Sequence, residues 1–155
     1  MDFEPYMREA LSLAEEAAGA GEVPVGCVVV GPDGSILGRG RNRRQEAHDA
    51  TAHAEIEAIR QACAALGDWR LEGCTIFVTL EPCPMCAGAI INSRVPVGVY
   101  GAREAVSGSC GSVIDLFMER YGHHPRVYPR VLAAESAALM QAFFQSRRQE
   151  QNKEE

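Results

Sequence analysis

Three side chains with a strong affinity for metal ions constrain the fold of this 155-residue chain more than any other feature. His53 precedes Cys83 and Cys86 along the chain, and the two cysteines have the spacing Cys-x-x-Cys. Imidazole nitrogen and thiolate sulfur are ligands that zinc prefers, and a closed structural zinc site takes four of them. Three protein ligands leave one position for water, which is typical of a catalytic zinc. The sequence therefore predicts a fold that brings His53, Cys83 and Cys86 to one Zn²⁺ ion per subunit.

The residues around the two cysteines predict that a helix begins there. Pro84 suits the first position of a helix, where its missing N–H is not needed. Cys83 then lies at or next to the N-cap, and Cys86 lies one turn later on the same side. Unpaired N–H groups at a helix start lower the pKa of nearby thiols and favour the thiolates that bind metal.

His53 and Glu55 place a geometric condition on the same site. Two positions along a regular helix correspond to about 200° of rotation, so the two side chains cannot share a flank. Both can serve one ion only if it lies over the start of a helix, and we expect Asp49 or Thr51 to be the N-cap. The sequence thus predicts two helix N-termini that meet at one metal ion. Glu55 is the predicted catalytic proton shuttle, with a pKa raised by partial burial.

Two other interpretations of the metal motif remain open from the sequence. A fourth side chain would make the site a structural zinc site, and the candidates are Cys27, Cys74, Cys110 and His48. Alternatively, the chain is a non-catalytic binding module or scaffold subunit that zinc stabilises. Cys27 and Cys74 lie in apolar strand patterns, where a free cysteine usually behaves as a small buried hydrophobe.

Hydrophobic periodicity predicts helices and strands that alternate along the chain. The predicted helices span about residues 2–18, 50–66, 83–92, 113–120 and 133–148, and the predicted strands span about residues 23–30, 35–40, 75–80, 95–100 and 126–131. This alternation is typical of an α/β fold, and we expect a three-layer α/β/α sandwich around a five-stranded mixed sheet. The interval between the last two strands is long enough for a crossover, so these strands are predicted to run parallel.

The composition indicates one globular domain over residues 1–150 and a charged tail over residues 151–155. A net charge of −6 argues against general affinity for nucleic acid, although four arginines crowd residues 39–44. No apolar run approaches the roughly 20 residues that cross a bilayer, and no secretory signal is evident. With two of six cysteines in a ligand spacing, reduced thiols and a cytoplasmic location are expected.

Several segments of the chain resemble the bacterial tRNA-specific adenosine deaminase family, within the cytidine deaminase-like superfamily. The His-x-Glu and Pro-Cys-x-x-Cys motifs at residues 53–55 and 82–86 match the signature of zinc nucleobase deaminases. The finer resemblance lies in residues 22–26, 48–55, 79–89, 101–103, 111–112 and 143–150. The metal motifs point only to the superfamily, whereas the other segments favour this branch.

The resemblance implies a cytidine deaminase-like fold, a homodimer and a tRNA anticodon loop as the partner. The implied reaction is hydrolytic deamination of the wobble adenosine to inosine, in which a zinc-bound hydroxide attacks the base and Glu55 moves the protons. It also implies substrate contacts, and the predicted set is Asn42, Ala54, Glu104, Arg147 and Arg148.

Two departures from the family pattern leave the substrate open. Glu104 stands where the family commonly has aspartate, and Val106 stands where it commonly has lysine. A lost cation in a loop that faces nucleic acid weakens the case for RNA. The alternative is a deaminase of a free base or nucleotide, of the guanine, cytosine or deoxycytidine monophosphate type.

Overall fold

The computed structural model describes residues 1–154, over which helices and strands alternate as the sequence predicts. The elements are α1 (Glu4–Gly19), β1 (Gly26–Val30), β2 (Ile36–Arg41), α2 (Ala54–Leu66), β3 (Thr75–Leu80), α3 (Pro84–Asn92), β4 (Val97–Ala102), β5 (Arg126–Tyr128) and α4 (Ala133–Glu154). One 3₁₀ turn, Leu116–Met118, lies between β4 and β5.

The five strands form one mixed sheet in the order β2-β1-β3-β4-β5. β1 pairs antiparallel with β2 and β3, whereas β4 pairs parallel with β3 and β5. The predictions of a five-stranded mixed sheet and of parallel final strands are both confirmed. Parallel neighbours bring the carboxyl ends of β3 and β4 to one edge, and the segments that leave this edge build one side of the site.

Side chains of β1 alternate between two hydrophobic cores, one on each face of the sheet. Cys27 and Val29 belong to a core that includes residues of α2 and α3. Val28 and Val30 belong to a second core with residues of α1, against which Leu139 of α4 also packs. Because helices cover both faces, the predicted three-layer sandwich is confirmed.

Two glycines of β2 let α2 lie directly on the strand. A Cβ atom at Gly38 would lie 2.1 Å from the carbonyl oxygen of Ala58, and one at Gly40 would lie 2.1 Å from that of Ala54. No side chain fits at such distances, so the missing Cβ atoms set the depth of α2 on the sheet. The first turn of α2 is therefore fixed in place by backbone contact.

The start of α2 differs from the prediction. The helix begins at Ala54 and its N-cap is His53, so the expectation of Asp49 or Thr51 as N-cap is wrong. The Asp49 carboxylate instead accepts hydrogen bonds from the backbone N–H and the hydroxyl of Thr51, at 2.8 and 2.7 Å. The Asp49 side chain thus stabilises a local turn instead of capping the helix. Residues 42–53 form a loop, which is called the 42–53 loop below.

Two other parts of the chain differ from the prediction by several residues, namely residues 113–120 and the end of the last helix. Over residues 113–120 only the 3₁₀ turn forms, because backbone groups that an α-helix would pair with each other bond elsewhere. The carbonyl oxygen of Ile114, which would accept the N–H of Met118 in an α-helix, accepts that of Gly111 instead, and Met118 donates to Asp115. The last helix extends beyond its predicted end and reaches Glu154. None of the helices within residues 1–154 has the length and apolar character that crossing a membrane requires.

Candidate active site

His53, Cys83 and Cys86 form a compact cluster of metal donors at the ends of two helices. The Nδ1 atom of His53 lies 3.7 Å from the Cys83 sulfur and 3.5 Å from the Cys86 sulfur. All three donor atoms lie within 4.8 Å of one another. Around a tetrahedral zinc, with Zn–S of about 2.3 Å and Zn–N of about 2.0 Å, neighbouring nitrogen and sulfur ligands are roughly 3.6 Å apart. The observed spacing therefore fits zinc, and the residues predicted as ligands do come together.

Two helix N-termini meet at this cluster, as the sequence predicts. His53 is the N-cap of α2 and Cys83 is the N-cap of α3, and both have extended backbone conformations. Cys86 lies in the first turn of α3, and Glu55 lies in the first turn of α2. Because His53 precedes the helix proper, it and Glu55 approach one point without sharing a flank. The positive helix ends favour anionic ligands there.

Hydrogen bonding within the cluster separates the pKa values of the two thiols. A hydrogen bond from Cys86, with help from His53, outweighs burial and lowers the pKa of Cys83 to about 4. The same hydrogen bond to Cys83, together with burial, raises the pKa of Cys86. Contact with Cys83 also raises the pKa of His53, against the effect of its own burial. Of the two thiols, Cys83 is thus the one that more readily becomes the thiolate that binds metal.

Glu55 is a buried carboxyl group beside the donors. Its side chain is only 4% exposed, and burial raises its pKa, with a further contribution from the Cys83 charge. A carboxyl group shifted in this direction can accept and return a proton nearer to neutral pH than an exposed glutamate can. The chemistry predicted for Glu55 is thus compatible with its surroundings.

A cavity of about 180 Å³ opens in front of the cluster. Its walls include the predicted residues His53, Cys83, Glu55, Asn42, Ala54 and Glu104, together with Val23, Val25, Arg44, Leu80, Glu81 and Ser107. This volume is below the roughly 300 Å³ at the lower end of typical ligand pockets, so a single base is a better match than a whole nucleotide. The six wall residues in the second group were not predicted from the sequence, since their positions depend on contacts between distant segments.

The predicted contacts Arg147 and Arg148 lie outside the cavity, in a neighbouring groove of about 430 Å³. Phe143 and Phe144 of the same helix also line this outer groove. Arg44 belongs to both the cavity and the outer groove, as does Val23. The two spaces therefore adjoin, and cations and aromatic rings line the groove next to the cavity.

A buried carboxylate organises the wall on the β4 side. Glu81 accepts hydrogen bonds from the backbone N–H groups of Glu104, Cys110 and Ser112, at 3.2, 3.0 and 3.1 Å, and from the Ser112 hydroxyl. Burial acts to raise the pKa of Glu81, but the hydrogen bonds outweigh it and lower that pKa. Residues 103–112 are thereby tied to the end of β3 and hold Glu104 and Ser107 against the cavity.

The donor cluster has three members among residues 1–154. Cys27, Cys74, Cys110 and His48, the candidates for a fourth ligand, are not part of it. Cys27, Cys74 and Cys110 are buried, and burial raises the pKa of each thiol. A closed structural zinc site therefore has no support in the described part of the chain.

Comparison with known proteins agrees with the fold and the cluster. A family model of MafB19-like deaminases matches residues 1–148. A tRNA-specific adenosine deaminase of Bacillus subtilis (strain 168) is 46% identical over 146 residues, which are 94% of this chain and 90% of that protein. A solved structure from work on A-to-I editing by tRNA:A34 deaminases superposes with a TM-score of 0.83 at 44% identity, over 87% of this chain and 98% of that one.

A second kind of relative is much longer. A protein of Deinococcus deserti named tRNA(Ile)-lysidine synthase is 51% identical over 143 residues, which are 92% of this chain but 27% of that protein. The chain thus spans about a quarter of the length of this curated relative. Sheet order, helix placement and donor cluster are those of the cytidine deaminase-like class. The chain belongs to the MafB19-like deaminase family and, by its identity to the Bacillus subtilis protein, to the tRNA-specific adenosine deaminases.

Proposed function

We propose that this protein hydrolyses the adenine amino group of an adenosine at the wobble position of a tRNA anticodon and leaves inosine. The observation that carries the proposal is the base-sized cavity lined by two of the three metal donors, by the buried Glu55 and by Asn42. The 46% identity to a protein named tRNA-specific adenosine deaminase supports the substrate. An anticodon loop suits such a cavity because its bases can leave the stack more easily than those of a duplex.

His53, Cys83 and Cys86 would hold one zinc ion, because their spacing and donor chemistry fit it. A zinc ion held there supplies a Lewis acid that makes water nucleophilic near neutral pH. The two sulfurs offset much of the positive charge, so a base beside the water is needed. That base is Glu55, which is also the buried group with a raised pKa in the cavity wall.

Glu55 carries the protons of the reaction. Its carboxylate takes a proton from the attacking water and passes it to the ring nitrogen next to the reacting carbon. It then takes the remaining proton from the hydroxyl group on that carbon and delivers it to the exocyclic amine, so the carbon–nitrogen bond breaks, ammonia leaves and the carbon–oxygen bond remains. Water and adenosine are thereby converted to ammonia and inosine, with no oxidant or further reactant.

Asn42, Ala54 and Glu104 bind and orient the base. The Asn42 side-chain oxygen accepts the N–H of Arg44 at 3.2 Å, which fixes the amide and leaves an N–H of its nitrogen for a base acceptor. An asparagine amide is well suited to the edge of adenine. Ala54 leaves room at the start of α2, and Glu104 closes the opposite wall through its backbone bond to Glu81.

Arg147 and Arg148 bind the nucleotides next to the reacting base. They line the outer groove with Phe143 and Phe144, and Arg147 stacks over the Phe143 ring at 4.9 Å. Phosphate groups are attracted to arginines, and unpaired bases stack on aromatic rings. This local cluster of cations meets the requirement for RNA binding although the whole chain carries a net charge of −6.

We further propose that the chain has one functional domain over residues 1–150 and a charged tail at 151–155. The match of the family model to residues 1–148 supports the domain limits.

We also propose that two copies of the chain form a homodimer in the cytoplasm. The segment after β4 exposes several large apolar side chains beside the cavity, namely Val106, Val113, Ile114 and Met118. Apolar side chains grouped in this way are typical of an interaction surface, which a second copy would cover.

The test is to incubate the zinc-loaded protein with total bacterial tRNA and map inosine by sequencing. Free adenosine, guanine and cytosine are run in parallel, and Glu55→Gln is the matched variant because it preserves shape and removes the acid–base function. We expect inosine at a wobble position with the wild type, and a loss of about 10²–10⁴-fold in rate with the variant. Ammonia released only from free bases would favour the nucleobase deaminase, and no product from any substrate would favour the binding module.

A further inference from the structure

A buried carboxylate outside the donor cluster fastens the 42–53 loop. Glu22 follows α1 directly after Gly21, whose positive φ of 80° turns the chain. Its side chain is only 1% exposed. One carboxylate oxygen accepts the backbone N–H of Gln45 at 3.0 Å, and the other accepts that of Glu46 at 2.9 Å. Gln45 and Glu46 lie 23 and 24 positions after Glu22, so these bonds join segments that are distant in sequence.

Glu22 has no ion pair among residues 1–154, although it is buried. A buried charge needs hydrogen-bond donors in place of water, and the two backbone N–H groups meet that need. The two N–H groups equally need the carboxylate, since they lie in a turn and have no partner in a helix or strand. The loop and the carboxylate therefore depend on each other for their position.

The loop held in this way presents two groups to the substrate. Asn42 begins it, and its N–H donates to Val25 at 3.1 Å. Arg44 directly precedes the two residues that Glu22 holds, and it lies at the junction of the cavity and the outer groove. The Arg44 N–H donates in turn to the Asn42 side chain. A shift of Gln45 would therefore move both groups.

The short segment that contains Glu22 also contacts the other substrate-facing elements. Arg147 of α4 donates a hydrogen bond to the carbonyl oxygen of Gly21. Val23 lines both the cavity and the outer groove. The segment 21–25 thus joins the 42–53 loop, the end of α4 and the cavity wall at one place, whereas the donor cluster lies on α2 and α3.

We propose that Glu22 is a positioning residue for substrate, which acts by holding Asn42 and Arg44 in the orientation that binds it. The proposal rests on the proposed function. In Glu22→Gln the new amide group turns an N–H toward a backbone N–H, so one hydrogen bond is lost and the loop moves. Groups that bind parts of the substrate that the reaction does not change stabilise the ground state and the transition state equally. The loss of such binding energy raises KM with little effect on kcat.

The experiment compares wild type, Glu22→Gln and Glu15→Gln as zinc-loaded proteins, with kcat and KM measured on tRNA. Glu15→Gln removes the same charge from α1, from an exposed side chain that makes no ion pair within residues 1–154 and holds no loop amide. We expect KM to rise about tenfold in Glu22→Gln, the effect of losing roughly one hydrogen bond to a charged group, with kcat unchanged. Glu15→Gln should match the wild type. A lower kcat at unchanged KM, as a partly unfolded sample would give, overturns the proposal.

Hydrogen exchange supplies a readout that needs no substrate. The amides of Gln45 and Glu46 should exchange at least tenfold faster in Glu22→Gln than in wild type, while those of α2 remain protected. Unchanged exchange at these two amides overturns the proposal as well. If Glu22→Gln does not fold, Glu22→Asp keeps the charge with a shorter reach and is held to the same outcomes. A wild type that does not act on tRNA would refute the proposed function alone, because the exchange comparison would still stand.

Discussion

Substituting Gly40 by alanine tests the contact between β2 and α2 on which the position of the site depends. The new Cβ atom would lie 2.1 Å from the carbonyl oxygen of Ala54 and 2.8 Å from the backbone nitrogen of Ala58. Both neighbours are helix backbone, which cannot rotate away as a side chain can. Real Cβ contacts are not shorter than 3.0 Å, so the start of α2 must recede by about 1 Å.

Two losses follow from such a movement. Overpacking of a close contact destabilises a protein by about 1–3 kcal/mol, which corresponds to a fall in Tm of roughly 2–12 °C for a chain of this size. Because α2 carries Glu55 and has His53 as its N-cap, the same movement misplaces the proton carrier and a metal donor. A misplacement of about 1 Å lowers a catalytic rate on the order of 10²-fold.

The assay is urea unfolding together with zinc content and kcat, with Gly98→Ala as the matched control. Gly98 is a buried glycine in the same sheet, but its added Cβ would meet only the Ile76 side chain, at 3.9 Å. That variant should be neutral or stabilised by about 0.5–1 kcal/mol, since alanine restricts the unfolded chain more than glycine does. If Gly40→Ala unfolds at the same urea concentration as Gly98→Ala, the reasoning about backbone contact is refuted.

Three further outcomes are expected. Removing metal with a chelator should abolish activity and lower Tm. Restoring zinc to 100 times its Kd should return about 2.7 kcal/mol of stability, and a Tm that does not change with zinc would contradict the donor assignment. Arg148→Ala should weaken tRNA binding and reduce the slope of log K against log salt by about 1, as measured by titration at several salt concentrations, and an unchanged slope would exclude a phosphate contact. Hydrogen bonds from the Thr51 hydroxyl and backbone lower the pKa of Asp49, so this carboxylate adds stability above its ordinary pKa, and the gain is lost as pH falls through the lowered value. NMR titration should find the pKa of Asp49 raised in Thr51→Ala but not in Thr51→Ser, and equal values in both variants would refute the role of the hydroxyl.

The metal donors were predictable from sequence because their geometry is local. A proline after Cys83 and a two-residue spacing from His53 to Glu55 define where each helix must begin relative to the ion. The alternation of apolar segments likewise sufficed for the sheet and its two helical layers. These signals depend on neighbours within one turn or one strand, and they carry over directly into the structure.

The errors and omissions arise where distant residues compete for a local group. Asp49 is a good N-cap by type, but its carboxylate is used by Thr51, and the helix starts at Ala54 instead. Residues 113–120 have a helical pattern, yet the Ile114 carbonyl oxygen, which an α-helix would pair with Met118, accepts the N–H of Gly111. The holding role of Glu22 depends on backbone amides more than twenty residues away, and no sequence motif reports such a contact.

The two sides of the cavity are attached to the rest of the protein in different ways, and this difference affects how substrate preference can evolve. The donors and Glu55 sit on helices, and α2 is locked by backbone contact to the sheet. The other walls are loops, each secured through main-chain amides to a single carboxylate, Glu22 or Glu81. A main-chain amide is present whichever side chain the residue carries, so this anchoring tolerates substitution at the anchored positions. Relatives can therefore acquire new specificity by exchanging loop residues while the reactive half of the enzyme stays the same.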